Sequence, residues 1–424
     1  MRGYDWFRDT GVGALVVRHF CSEDQEGDGI LMRPQLLREL TISGNISQEK
    51  FNWLIAACPN IKKFAVELSP YTVRNGLQSF SVDTKMPPNL TTLRLSAFMY
   101  DHNDAQHTGD IIFPILRNTC CPATLSTFVF QLVIIDSQSL DDFHIEALKF
   151  IRRHAHSLRT LHVQIKQVYV NSLPATESND DPELQVSKWV HRTNLKELRF
   201  TLDRHLNKWI PLVNSQAYLA SLVLNLRNLR WNFLSTVIQK CRSTLKNIQV
   251  YNVNVKQGHR ICPVDLGVLR NCHLLQKLTL HHTEHPPTYC AKLSRTACLP
   301  LSLTEIDVSR ILVKQHQLLY ILIRMPNLSR LEVAYWSDTD SYFASSLSLL
   351  PLLIKFNITP LKSVTMTDLR RRFDNHKTEV HRLRNFLGRL ATVKVSDSVR
   401  ESRLSVDVHS LDDERNFSAC TYEI

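Results

Sequence analysis

Hydrophobic positions recur along the chain in a fixed short step: an apolar residue, a second one three positions later, and a third two positions after that. Leu328, Leu331 and Val333 form one such step. The step occurs thirteen times, with first residues Leu37, Ile61, Leu90, Leu125, Leu158, Leu195, Leu219, Leu245, Leu275, Leu303, Leu328, Leu361 and Leu390. The mean spacing is about 29 residues, and single intervals range from 24 to 37. Neither a helix nor a simple strand repeats in this way, so the pattern predicts an internal structural repeat.

Helical patterns precede several of the steps. They cover residues 48–58, 141–155, 233–241 and 315–325, where apolar residues have roughly helical spacing. Ser47, Ser139 and Asp141 or Asp142 are candidate N-caps. Pro-Asn follows two of these helices and also stands at 88–89, and proline disfavours helix in the residue before it. We therefore expect each repeat to contain one strand and one return helix.

Repeats of this kind predict an α/β solenoid, because one repeat cannot bury its own apolar side and must stack on its neighbours. Parallel strands are expected on the concave side and helices on the convex side of a curved horseshoe. The array is expected over 37–408, in about thirteen irregular repeats, after an N-terminal cap or remnant at 1–36 and before a C-terminal tail at 409–424. Alternation within residues 403–411 predicts a last strand that covers the open end.

Three junctions, at 58–66, 156–163 and 325–333, read CPNIKKFAV, HSLRTLHV and MPNLSRLEV. They resemble leucine-rich-repeat proteins of the ribonuclease-inhibitor-like type, and more narrowly the irregular repeat region of fungal F-box/leucine-rich-repeat proteins. The resemblance implies a horseshoe that binds a protein ligand on its concave face. It also implies a possible place in a ubiquitin ligase, reached through a Skp-type adaptor and a cullin.

Two features depart from that family. Its consensus places Asn or Cys three positions after the last apolar residue of the step, as at Asn45. Other repeats here have different residues at that position, namely Phe98, Lys166, Trp336 and Leu369. We therefore expect the turns to be satisfied by other groups. Residues 1–36 also contain no Leu-Pro-x-Glu start of an F-box, which weakens the ubiquitin-ligase interpretation.

Composition limits the partners and the cellular compartments that are expected for the protein. The net charge of +11 is spread along 424 residues, so nucleic acid is a conceivable partner without a concentrated basic patch. Ten cysteines without regular spacing favour reduced thiols in the cytoplasm or nucleus over a disulfide framework. No stretch approaches the length of a membrane span, and the N-terminal stretch lacks the pattern of a secretory signal. We expect a cytoplasmic or nuclear protein with no membrane partner.

The residues between the apolar positions of each strand are the candidates for partner binding, because successive side chains of a strand point to opposite faces. They are mixed in charge, with a few aromatic or imidazole groups, which suits a protein ligand. Tyr335 and Trp336, just after one strand, could be binding anchors or could fill a turn. The candidate set is Arg94, His162, Arg199, Gln249, Tyr251, Thr279, His281, Asp307, Glu332, Tyr335 and Trp336.

Catalytic and metal chemistry find little support in the sequence. The segment 281–290 contains His281, His282, His285 and Cys290, but without a recognised zinc spacing, and it reads better as a solvated loop. The basic stretch 152–162 is better interpreted as the end of a helix than as a set of metal ligands. The chain has no GxSxG, HExxH or phosphate-binding glycine loop. No catalytic residue, metal or cofactor is therefore assigned.

Three functions remain open at this point. The chain is either an F-box-like substrate receptor, a regulatory or structural repeat scaffold unrelated to ubiquitin, or an RNA-associated repeat protein. Only the basic charge favours the third.

Overall fold

The computed structural model divides the chain into two compact units, Met1–Gln216 and Ala217–Ile424. The first unit is described at residues 14–17, 37–43, 48–69, 86–120, 123–135, 140–167, 193–202 and 206–216. The second unit is described at residues 217–254, 256–257, 260–261, 264–281, 293–294, 296–312, 321, 324–325, 327–328, 330–335, 363–368, 391–398 and 403–410.

The first unit contains a sheet of parallel strands that follow one another in chain order. The strands are β1 Ala14–Val17, β2 Glu39–Ser43, β3 Lys63–Leu68, β4 Thr92–Met99, β5 Thr127–Ile134, β6 Thr160–Gln167 and β7 Glu197–Leu202. The helices of this unit are α1 Gln48–Ala57, α2 His102–Asn118, α3 Asp141–Arg153 and α4 Leu206–Asn214. This is a parallel α/β arrangement built on a repeating strand unit, in agreement with the sequence pattern.

The second unit continues the pattern with shorter return segments. Its strands are β8 Ser221–Arg230, β9 Asn247–Asn254, β10 Lys256–Gln257, β11 Arg260–Ile261, β12 Val264–Asp265, β13 Lys277–Leu280, β14 Leu293–Ser294, β15 Glu305–Leu312, β16 Arg330–Tyr335, β17 Ser363–Asp368, β18 Ala391–Ser398 and β19 Arg403–Ser410. Strands β8, β9, β13, β15, β16 and β17 pair in parallel. Helix α5 spans Trp231–Cys241, and two 3₁₀ helices lie at Leu266–Asn271 and Thr296–Cys298.

The repeating step fixes where the strands begin. Twelve of the thirteen steps are followed by a strand that starts two residues after the first apolar position, as β3 starts at Lys63 after Ile61. The thirteenth, at Leu390, differs: β18 starts at Ala391 and pairs antiparallel with β19, which lies between β17 and β18. The last strand expected within 403–411 is therefore present as β19, while the Leu390 step does not extend the parallel series.

Apolar step positions form the core of each unit. The first apolar residue of each described step is at most 7% exposed, from Leu37 to Leu328. Within the first unit, Leu93, Phe128 and Leu161 lie side by side in register and are all fully buried. Helices pack on this same face through aromatic pairs, such as Phe128 with Phe150 at 4.4 Å and Phe200 with Trp209 at 5.1 Å. The alternating strand residues point to the opposite face, here called the open face of each unit.

A forked backbone hydrogen bond joins successive repeats at the strand starts. The carbonyl of Arg38 accepts the N–H of Lys62 at 2.7 Å and the N–H of Lys63 at 3.0 Å. The same fork recurs at the carbonyls of Lys62, Thr91, Ser126, Arg159, Ala220, Lys246 and Gln276. Each carbonyl belongs to the residue directly after the first apolar position of its step. Both lone pairs of its oxygen therefore accept a backbone N–H at the same position of each of these repeats.

Hydroxyl and amide side chains add further hydrogen bonds between repeats at the strand starts. Thr244 donates to the carbonyl of Leu219 at 2.7 Å, and Ser302 donates to that of Leu275 at 2.7 Å. Asn194 and Asn327 donate to the carbonyls of His156 and Leu301, two residues before the first apolar position of the preceding step. In all four cases the donor stands one residue before the first apolar position of its own step. These bonds lie at the strand starts, so the expectation that other groups satisfy the turns after the strands stays a prediction.

The sequence pattern predicted only some of the helices. Helices α1, α3 and α5 lie within a residue or two of their predicted spans, whereas α2 and α4 contain Pro114 and Pro211 and were missed. The predicted cap of α3 is wrong: the N-cap is Leu140, which makes no side-chain bond. The predicted helix over 315–325 lies mostly outside the described residues. Strand β1, within the segment expected to be a cap or remnant, was also not predicted.

Replacing Thr244 with valine tests the hydroxyl link between repeats. Valine keeps the shape but leaves the Leu219 carbonyl without this donor, so the free energy of unfolding should fall by about 1 kcal/mol. Thr127→Val is the matched control, because Thr127 is half-buried on the open face of β5 and makes no such bond to a preceding turn. Urea denaturation should show a lower midpoint for Thr244→Val alone; equal midpoints for the two variants would contradict the role of the hydroxyl.

Candidate functional site: the open face

Rows of side chains cross the open face of the first unit because neighbouring strands are in register. One row runs Thr41, Ala65, Arg94, Val129, His162, Arg199 from β2 to β7. The next row runs Ser43, Glu67, Ser96, Gln131, Gln164, Thr201. Apart from Thr201, which is 8% exposed, these side chains are half-buried or exposed. The structure therefore brings three of the predicted site residues, Arg94, His162 and Arg199, into one row.

His162 occupies an unusual place in this row. Its Nε2 atom is buried and has no hydrogen-bond partner among the described residues. Burial, with the positive charges of Arg199 and Arg94 added to it, lowers the pKa of His162 from 6.5 to about 4. The imidazole is thus neutral at physiological pH, although it lies between two guanidinium groups.

The two arginines of the row differ in their contacts. The guanidinium of Arg94 lies 3.8 Å from the carboxylate of Glu67 and makes long hydrogen bonds of 3.4 Å to Ser96 and Gln131. Arg199 is exposed, and no hydrogen bond or ion pair of its guanidinium is present within the described part of the chain. Arg199 is therefore the cation of this row that is most available to a ligand.

An exposed aromatic pair lies at the end of β4. Phe98 is 37% exposed and Tyr100 is 41% exposed, and their rings meet edge to face at 5.3 Å. In register, Phe98 lies beside Val133 of β5, which is half-buried. We call Phe98, Tyr100 and Val133 the aromatic patch. Sequence analysis missed it, although Phe98 in the consensus Asn/Cys position was the available signal.

The open face of the second unit carries a chain of hydrogen bonds among its own side chains. His281 Nε2 lies 2.8 Å from a carboxylate oxygen of Asp307, and its ring meets that of Tyr251 edge to face at 5.1 Å. A separate chain of hydrogen bonds runs from Tyr251 to Gln249, from Gln249 to Asn247 and from Asn247 to Ser221, with lengths of 3.1, 3.1 and 3.0 Å. The predicted residues therefore form two hydrogen-bonded pairs, Gln249 with Tyr251 and His281 with Asp307, and the contact between the rings of Tyr251 and His281 brings the pairs together.

The remaining predicted residues divide into three cases. Thr279 is only 3% exposed, so its burial between Gln249 and Asp307 corrects its assignment to the binding surface. Glu332 and Tyr335 lie on β16, where Glu332 is in register with Asp307. Trp336 lies outside the described residues.

Basic side chains also gather on the helical side of the first unit, where Arg117, Glu146, Lys149, Arg152 and Arg153 line an open depression of about 480 Å³. Most of these cations have a local role. Arg117 forms a two-pronged bond to Glu146 at 3.1 and 3.2 Å, and Lys149 approaches the same carboxylate. Arg153 donates to the carbonyls of Leu116 and Arg117 in the last turn of α2. The expectation of a basic helix end at 152–162 thus agrees with these contacts, since cations complement helix C-termini.

Glu146 is almost completely buried at its side chain yet remains charged. Burial acts to raise its pKa, but the hydrogen bond and charge of Arg117, together with Lys149, outweigh burial and leave the pKa below its ordinary value. His154, in the same region, is buried and bonds through Nε2 to the carbonyl of Thr119 at 3.1 Å. These groups hold α3 against the turn after α2.

Metal sites and membrane spans were searched among the described residues. No group of three or more His, Cys, Asp or Glu side chains there could hold a metal ion, and His282, His285 and Cys290 lie outside that part of the chain. None of the described helices combines the length and the hydropathy that crossing a membrane requires. Five described cysteines, Cys58, Cys120, Cys241, Cys272 and Cys298, are free thiols.

Comparison with protein-family models gives no match, and no curated protein matches the chain.

The depressed pKa of His162 predicts a specific pH dependence of stability. Between pH 6.5 and about 4 the unfolded chain takes up a proton at His162 that the folded chain does not. The free energy of unfolding should therefore fall on acidification through this range, by on the order of 2 kcal/mol from this group. His162→Gln should flatten the curve of urea midpoint against pH. The control His107→Gln, at an exposed position of α2, should leave the wild-type curve unchanged; a steep curve in His162→Gln would refute the assignment.

Proposed function

We propose that the chain is a leucine-rich-repeat scaffold of the ribonuclease-inhibitor-like type and that its open face is the concave side of the horseshoe. The evenly placed strand starts, the parallel register and the packing of helices on the opposite face support this proposal. The resemblance of the junctions at 58–66, 156–163 and 325–333 to that family also supports it. No enzymatic activity is proposed.

We further propose that this face binds a protein ligand. The observation that carries the proposal is the set of registered, half-exposed side chains on the open face, in which arginine and aromatic residues lie together. Arg94, Arg199, Phe98 and Tyr100 are all exposed on the first unit. Arginine, tyrosine and phenylalanine are enriched at protein interfaces, and a few such residues carry most of the binding energy.

A narrower form of the proposal is that the chain selects substrates for ubiquitination as an F-box-like receptor. It rests on the resemblance to fungal F-box/leucine-rich-repeat proteins, and it requires a Skp-type adaptor and a cullin as further partners. The alternatives are a regulatory or structural scaffold unrelated to ubiquitin and an RNA-associated protein. The basic depression near Arg117 gives the RNA alternative little support, because Glu146 and the C-terminal end of α2 already engage most of its cations.

Site-specific photocrosslinking tests binding on the open face. A photoreactive residue at Gln164, on the open face of β6, should crosslink to a discrete protein in extracts of the source cells. The same residue at Gln106, exposed on α2, is the matched control and should not capture that protein. Identical products from both positions, or none from Gln164, would contradict the proposal. A ribonuclease-sensitive product at Gln164 would instead favour the RNA alternative.

Mixing the purified chain with a Skp-type adaptor separates the narrower form from a general scaffold. The ubiquitin-ligase form predicts a stoichiometric complex on size-exclusion chromatography, and a cullin should join it. Independent elution of the two proteins would remove the ubiquitin-ligase form, while the photocrosslinking result would still decide whether the open face binds a protein.

A further inference from the structure

The open face of the first unit presents an incomplete site for a negatively charged group. His162 and Arg199 occupy paired positions on adjacent strands, which are about 4.8 Å apart, and Arg94 lies two strands from His162 on the other side. Neither the buried Nε2 of His162 nor the guanidinium of Arg199 has a partner within the described ranges. A buried polar atom without a hydrogen bond is costly, so its occurrence calls for an explanation.

A carboxylate explains this arrangement. The planar guanidinium matches the two oxygens of a carboxylate, and a protonated imidazole can donate to the same group. Binding would therefore favour the charged form of His162, which is disfavoured in the free protein by burial and by the two arginines.

The surrounding charges limit how much negative charge the site can take. The row is faced by Arg94 from β4, by Arg199 and Glu197 from β7, and by Lys166 from β6 itself, with Glu67 on β3 beyond Arg94. Strand β5 contributes only the neutral Val129 and Gln131. A single carboxylate fits between the cations, whereas a run of phosphates would meet Glu67 and Glu197 on either side.

The aromatic patch supplies the second half of the site. Phe98 lies four residues beyond Arg94 on the same strand, on the same face, which corresponds to about 13 Å. His162 lies two strands further across, so the diagonal from His162 to Phe98 is about 16 Å, which an extended peptide covers in about five residues. Exposed aromatic rings beside a charged row are the kind of surface on which one apolar side chain of a ligand can be buried.

The second unit offers a contrast. Polar groups of its open face bond to one another, in one chain from Ser221 to Tyr251 and in the pair of His281 with Asp307. A ligand there would have to displace existing hydrogen bonds, whereas a ligand on the first unit would supply missing ones.

We propose that the open face of the first unit binds an extended acidic segment of a partner protein, with one carboxylate at His162, Arg199 and Arg94 and one apolar side chain, about five residues away, on Phe98, Tyr100 and Val133. This inference rests on the proposed function and specifies the chemistry of the ligand.

Selection from a random peptide library on the full-length chain tests the proposal without a known ligand. The enriched peptides should share an acidic residue and a large apolar residue about five positions apart. In fluorescence anisotropy with a selected peptide, Arg199→Gln and Phe98→Ser should each weaken binding at least about tenfold. Arg152→Gln, at an exposed position on the helical side, is the matched control and should bind as the wild type does. Changing the acidic residue of the peptide to its amide should have the same effect as Arg199→Gln.

A pH titration separates docking at His162 from a general attraction to positive charge. Because binding takes up a proton at His162, the affinity of the selected peptide should rise from about pH 7.5 to about pH 5.5. In His162→Gln the affinity should stay level over this range, while urea midpoints verify that each variant is folded.

Three results would overturn the inference: enriched peptides that are neutral or basic, full binding by the Arg94→Gln/Arg199→Gln double variant, or tighter binding of an eight-nucleotide single-stranded RNA than of the peptide. If photocrosslinking at Gln164 still captured a protein in these cases, the proposed function would stand and only the acidic-segment chemistry would fail. Loss of both would remove the proposed function as well.

Discussion

The described fold depends on one backbone contact per repeat: a carbonyl directly after the first apolar position of the step, which accepts two N–H groups from the next repeat. Arg38, Lys62, Thr91, Ser126 and Arg159 supply this carbonyl in succession in the first unit. The residue before each carbonyl is a buried apolar one, so the bond ties the start of the next strand to the edge of the core. A shift of one residue would turn every apolar side chain to the open face, and the contact therefore fixes the register together with the core.

Because the register between strands is constant, the sequence pattern determines which side chains become neighbours on the open face. Residues that are about 29 positions apart in the chain become neighbours in rows, and the chemistry of a row depends on which side chains happen to share it. In the second unit Ser221, Asn247, Gln249 and Tyr251 bond to one another, and His281 bonds to Asp307. In the first unit His162 and Arg199 share a row without doing so. The difference in hydrogen-bond satisfaction, rather than the difference in charge, is what points to the first unit as a docking surface.

The sequence predicted those features that depend on local periodicity. The step located twelve strand starts to the residue, since burying the first apolar position requires the strand to begin at a set distance from it. Helices α2 and α4 were missed because an internal proline argues against a helix, yet Pro114 and Pro211 are held within them. The reversal of β18 and β19 depends on pairing between distant segments, for which the step carries no information.

Side-chain partnerships were predictable only in part. The alternation of β6 placed His162 on the open face, but nothing in the local sequence indicates that its Nε2 lacks a partner, because the neighbours come from β5 and β7. Thr279 followed the same alternation but is only 3% exposed, in a register position between Gln249 and Asp307. The aromatic patch was overlooked because Phe98 was considered only as a departure from a turn consensus. The exposure of a side chain depends on its neighbours from adjacent strands, whereas the step predicts the position of a single strand.

Amide hydrogen exchange at the strand starts tests the central claim most directly. If one carbonyl holds two N–H groups from the next repeat, the paired amides Lys62 and Lys63, Thr91 and Thr92, and Ser126 and Thr127 should exchange slowly and at similar rates within each pair. Rapid exchange of either member of these pairs, while the helices remain protected, would show that the repeats are not locked in register and would contradict the account.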